Sequence, residues 1–175
     1  LGVGASIVMY NKDLFDAAGV AYPTNDWTTD EYLEIAKKVA NPAKKVWGAE
    51  ILTRPFRAIW FNHGENARLY SPDSTKVDGY LNSPESLAAY EWFYDLMRSG
   101  VTPTVSDMAT LSTENTGPID LFMANRLAMA TLNQGHMLNA VKAGKNFGVV
   151  REPGVGDNPR HVNAWSLLVG IWEGS

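Results

Sequence analysis

A layered α/β domain, with a mixed sheet flanked by helices, is the fold class that the sequence predicts, and three observations carry it. Short apolar runs rich in branched side chains recur along the chain, at lengths that suit buried strands. Between them lie amphipathic stretches headed by helix-start residues and closed by glycine or proline. Strand and helix signals alternate across short joints, the order that packs helices onto a sheet. With 175 residues, 45% of them hydrophobic and 11% aromatic, the material suffices for one core, so residues 1–175 are read as a single domain.

Gly4 to Tyr10 reads as the first buried strand, followed by a brief helix over Leu14, Phe15, Ala17 and Ala18 that Gly19 ends in the left-handed conformation. Thr28-Thr-Asp-Glu31 has the spacing of a capping box and opens a helix that Pro42 terminates. Val46 to Leu52 is a second strand candidate. Pro55 is placed to start a helix through Phe56, Ile59, Trp60 and Phe61 to Gly64. The polar stretch from Glu65 to Asn82 is a loop with room for a small hairpin.

Ser83-Pro84-Glu85 combines a capping hydroxyl, a proline at the first helical position and an acid in the first turn. The helix it opens is expected to turn Leu87, Tyr90, Phe93 and Met97 inward beside Ala89 and Leu96. Val101 to Thr116 has no clear period and reads as loop or poorly formed helix. A short helix over Gly117 to Asn125 precedes a strand from Leu127 to Leu132, apolar on both faces as a central strand would be. His136 to Ala143 reads as helix, Phe147 to Val150 as strand, Pro153 to Pro159 as turn and His161 to Ile171 as the last strand.

Composition excludes several classes of function. A net charge of -4 and only 19% charged residues provide no basic stripe for a phosphate backbone, so nucleic acid is not an expected partner. No apolar run reaches the roughly 18 residues of a membrane span. Without cysteine there is neither disulfide nor thiolate chemistry. No nucleophile elbow and no phosphate loop occur, and His63, His136 and His161 are never paired at helical metal spacing, so no catalytic residue, metal or cofactor is expected. A pair of catalytic acids among the 19 carboxylates stays open as an alternative.

Aromatic residues beside amide or other polar side chains at element ends stand out instead: Arg54 and Phe56, Trp60 and Asn62, Asn133 and His136, Asn163 and Trp165. A sugar presents C–H groups that pack on a ring and hydroxyls that need donors and acceptors in pairs, so these residue types suit it. Each has a structural reading too. Trp60 and Phe56 stand at helical spacing and Trp165 lies inside a strand, positions that also suit a core. Asn133 follows a buried strand, where α/β sheets place ligands.

Three stretches carry a family resemblance. Ile7-Val-Met-Tyr-Asn-Lys-Asp-Leu-Phe15 with Ala18-Gly19, Pro23 and Trp27 to Tyr32 resembles the opening of the second lobe in the family-1 extracellular solute-binding proteins of ABC sugar importers, the maltose-binding-protein-like group. Asp120 to Asn133 is similar to that family's short helix and the strand ending at its cleft, and Val162 to Gly170 to its strand returning toward the first lobe. The resemblance implies a type II periplasmic-binding-protein fold of two lobes closing by a hinge on a ligand. This chain would be the second lobe, with the first lobe and the C-terminal helices absent. It implies no enzyme, a sugar or polyol as ligand, an ABC transporter permease as partner, and a periplasmic or lipid-anchored extracytoplasmic location, as for a lipoprotein. The family's ligand-facing proline and aromatic match Pro55 and Phe56, while His136 stands near the family's aromatic platform, which points away from a maltodextrin. An interaction module without a small ligand is the other alternative.

Overall fold

A computed structural model describes residues 2–50, 58–104, 106–107, 109 and 117–167 of the chain. Along it run β1 (Gly2–Asn11), α1 (Lys12–Ala18), α2 (Thr29–Val39), β2 (Trp47–Ala49), α3 (Ala58–Phe61), α4 (Pro84–Arg98), α5 (Pro118–Met123), β3 (Leu127–Asn133), α6 (Gln134–Lys142), β4 (Phe147–Val150) and β5 (Ala164–Leu167). The strands form one mixed sheet in the order β2-β3-β1-β4, with β5 also on β1. β1 runs antiparallel to β3, β4 and β5, and β2 runs parallel to β3.

The helix-start signals act as their chemistry requires. Thr28 Oγ1 accepts from the Glu31 N–H at 3.2 Å and Glu31 returns a carboxylate oxygen to the Thr28 N–H at 2.8 Å, so two orphan donors of α2 are satisfied. Ser83 caps α4 on the Ser86 N–H at 3.0 Å, and Gly19 closes α1 at φ 64°. Gly48 in β2 has a packing reason: an added Cβ would lie 2.0 Å from the Ala36 carbonyl oxygen, so α2 rides directly on the sheet there.

Alternation along β1 divides the interior. Val8 and Tyr10 face a cluster with Phe15, Trp27, Tyr32, Ala36, Trp60, Trp92, Phe93 and Leu96, which α1, α2, α3, α4 and the turn before α2 supply. Met9 faces the opposite cluster of Leu121, Phe122, Leu127, Ala130, Leu132 and Ala140 under α5 and α6. Helices on both faces leave Leu127, Ala128, Met129 and Ala130 of β3 with no exposed surface, as the apolar run predicts.

Several sequence expectations are corrected. α4 buries Ser86, Ala89, Trp92, Phe93 and Leu96, while Leu87, Tyr90 and Met97 remain exposed. The helix carries two apolar stripes, and the inward one brings a polar handle: Trp92 Nε1 donates to the Thr29 carbonyl at 3.3 Å and Ser86 Oγ to that of Tyr80 at 2.7 Å. No hairpin forms in 65–82; Ser71, Asp73 and Thr75 close a turn on their own side chains. The helix expected from His136 starts at Gln134 because Asn133 is its cap. β5 begins only at Ala164, since the His161 N–H is taken by Asn62 Oδ1 at 2.6 Å rather than by a strand. The expected starts and ends at 51–57, 110–116 and 168–171 lie outside the described residues.

Candidate functional site

Polar groups gather where β3 ends beside the first half of β1. In the antiparallel ladder Ser6 stands opposite Asn133, and the Ser6 N–H donates to the Asn163 carbonyl at 2.9 Å just before β5. The Ala5 N–H donates to Gln134 Oε1 at 3.3 Å. Asn133, Gln134 and Asn163 are thereby held within one residue's pairing of Ser6. Side chains here are half-buried or exposed, in contrast to the sealed strands beyond.

Asn133 is fixed by its role as helix cap. Its Oδ1 accepts from the Gly135 N–H at 2.9 Å and the His136 N–H at 3.2 Å, which leaves its amide NH2 as the outward donor pair. The Asn133 N–H in turn approaches His136 Nδ1 at 3.5 Å. With Nδ1 in that contact, Nε2 is the ring nitrogen left for a further hydrogen bond. An amide, an imidazole and the amide of Gln134 therefore crowd one strand end, which is hydrogen-bonding chemistry for hydroxyls.

Glu50 also belongs to this end, and no sequence argument singled it out. It is 2% exposed, its N–H donates to the Met129 carbonyl at 3.2 Å, and its Oε1 accepts from the Thr131 N–H at 2.8 Å. A buried carboxylate thus braces the last turn of the β2–β3 pairing. The signal was present as one acid within the apolar run Val46 to Leu52. Asn62, the amide that follows Trp60 and Phe61 at an element end, is a second brace. It is fully buried, donates to the Pro153 carbonyl at 2.8 Å and accepts from the His161 N–H, which ties the end of α3 to the connection feeding β5.

The other candidates are dispersed. Trp60 has no exposed surface; it meets Tyr90 edge-to-face at 4.2 Å and stacks on Phe93 at 6.1 Å, so it belongs to the core. Trp165 pairs with Gly4 in the β1–β5 ladder. Arg54 and Phe56 lie outside the described residues. Asn133, His136 and Asn163 are brought together, and Trp60 is not. Among the described residues no group of three or more His, Asp or Glu side chains is placed to hold a metal.

Comparison with known proteins gives this geometry a setting. The family of bacterial extracellular solute-binding proteins matches residues 1–170. The sn-glycerol-3-phosphate-binding periplasmic protein UgpB of Brucella abortus is 28% identical over 155 residues, 84% of this chain and 34% of that protein. The chain therefore spans about a third of the length of the curated relatives it matches. Among solved structures, the Listeria monocytogenes ABC substrate-binding protein Lmo0181 in complex with cycloalternan aligns at a TM-score of 0.76 and 29% identity, over 91% of this chain and 40% of that one. A sugar transporter from Rhizobium etli in an open conformation aligns at 0.67 and 30%, over 93% and 41%.

Proposed function

The chain belongs to the bacterial extracellular solute-binding protein family, and from that premise we propose that it is one lobe of an ABC transporter's substrate-binding component, capturing a sugar or polyol in a cleft between lobes. The observation that carries the reading is the convergence of Asn133, Gln134, His136 and Asn163 on one sheet end around Ser6. Relatives whose names state a polyol phosphate or an oligosaccharide ligand support the solute class. Strand ends of α/β sheets are where backbone and side-chain polar groups are both available, while the core behind them stays rigid.

The chemistry is recognition without bond making. The Asn133 and Gln134 amides and His136 Nε2 satisfy ligand hydroxyls, Arg54 and Phe56 contribute from the segment after β2, and Asn163 and Trp165 line the approach along β5. The remaining contacts come from the first lobe, and closure excludes water from both. The loaded protein delivers its ligand to the permease from the outer side of the cell membrane, in the periplasm or on a lipid anchor. Catalysis is not part of this function.

Calorimetry with this chain and with a two-lobed parent, against ribitol, glucose, maltotriose and sn-glycerol 3-phosphate, tests the reading. The single lobe makes about half the contacts and is expected to bind none of them tighter than about millimolar, with the parent binding at least one about a hundredfold tighter. Micromolar binding by the single lobe, or no loss in the parent on His136→Ala together with Asn133→Ala, defeats it.

A further inference from the structure

A hollow of about 340 Å³ has Phe61, Arg68, Tyr70, Ser71, Ser74 and His161 in its lining and shares no residue with the strand-end cluster. We infer that this hollow binds an oxyanion, the phosphate or carboxylate group of a small polar solute, with the Arg68 guanidinium as its principal ligand. The inference is independent of the cleft reading.

Four polar side-chain ends line the hollow, and among the described residues none has a partner. The Arg68 side chain makes no hydrogen bond or ion pair; its only bond is the backbone N–H to the Asn66 carbonyl at 2.8 Å. The His161 ring touches Phe61 edge-on at 6.4 Å, and its nitrogens are uncommitted. The Tyr70 and Ser74 hydroxyls have no bond either. A half-buried guanidinium presents a planar fork of donors matched to two oxygens of one anion, and imidazole and hydroxyl donors beside it complete the shell.

The backbone of the walls is fixed, while the Tyr70, Ser74 and His161 side chains are exposed and the Arg68 side chain is half-buried. Asn62 anchors the His161 backbone, and Asn158 Nδ2 ties the Asn62 and His63 carbonyls at 3.3 and 3.0 Å. The 71–76 turn is closed by the Ser71 N–H on the Lys76 carbonyl at 2.8 Å and by Ser71 Oγ accepting the Thr75 and Lys76 N–H groups. Asp73 of the 71–76 turn takes the Ser71 and Thr75 hydroxyls, and Glu85 takes the Asn66 amide at 3.2 Å. Their charge weakens the site without occupying Arg68.

The test is an NMR titration of the chain with inorganic phosphate in one arm and acetate in the other, read at the His161 ring and the Arg68 side chain. Saturation at a few to about 20 mM is expected, weakened about tenfold by Arg68→Gln and less by Arg68→Lys, which keeps the charge and loses the fork. His161→Gln is the second variant, expected to weaken binding by about threefold, and dispersed spectra establish that each variant is folded. Tighter phosphate binding assigns the group to a phosphate ester, tighter acetate binding to a carboxylate. A response that stays linear to about 50 mM in both arms, or saturation unchanged in both Arg68→Gln and His161→Gln, overturns the site.

Discussion

The two halves of β1 form one continuous strand and do opposite work. From Val8 to Asn11 it lies between β3 and β4 with helices over both faces, and Val8 and Met9 have no exposed surface. From Ala5 to Ile7 the cover thins, side chains are half-buried, and the partners across the ladder are Asn133 and the residues leading into β5. Rigidity comes from the first region and binding chemistry from the second. Polar groups can stay available at a strand end only because apolar packing a few residues away holds the backbone still.

Substitutions along and beside this strand should follow that division. Met9→Ala removes a fully buried side chain and is expected to cost 2 to about 5 kcal/mol in urea unfolding; a loss under about 1 would mean that the far half is no core. Asn133→Ala deletes the cap of α6 and should cost about 1 kcal/mol, while also removing the outward amide. Ser6→Ala, only three residues from Met9, should stay within about 0.5 kcal/mol, because only its backbone holds the sheet. Equal costs at Met9 and Ser6 would erase the distinction between the halves.

The smallest effect is a pH dependence on the core side. Burial is the main influence on His63 and lowers its pKa below the ordinary 6.5, opposed in part by backbone bonds to Ile59 and Trp60. A histidine held neutral by burial contributes stability that is intact above 6.5 and is lost as pH falls through the lower folded value. Urea melts between about pH 7.5 and about pH 5 should show the natural chain losing more stability than His63→Gln. Equal slopes would put the acid sensitivity elsewhere.

The elements were legible wherever a local signal sufficed. Thr28 to Glu31, Ser83 to Glu85 and Gly19 mark helix ends by chemistry confined to one turn, and the structure uses each as read. The facing of α4 was not legible, because Leu87, Tyr90 and Met97 form as regular a stripe as Ala89, Trp92 and Leu96. The stripe that turned inward is the one whose polar groups, on Trp92 and Ser86, find carbonyls at Thr29 and Tyr80. At the site, Asn133 was readable as a polar residue closing an apolar strand. The contribution of Glu50 depended on parallel pairing with a strand some eighty residues away, which no local pattern reveals.

By itself the sequence determined an α/β chain of alternating strands and capped helices, free of cysteine and of catalytic motifs, with polar and aromatic residues at element ends. Those properties depend on turn-length chemistry and on the periods of the two regular structures. Only the tertiary structure decided that Asn133, His136 and Asn163 meet around Ser6 while Trp60 turns into the core. It also decided that Arg68 and His161, far apart in the chain, share one hollow. Such meetings follow from strand order, register and the choice between apolar faces, which are settled by packing across the whole domain.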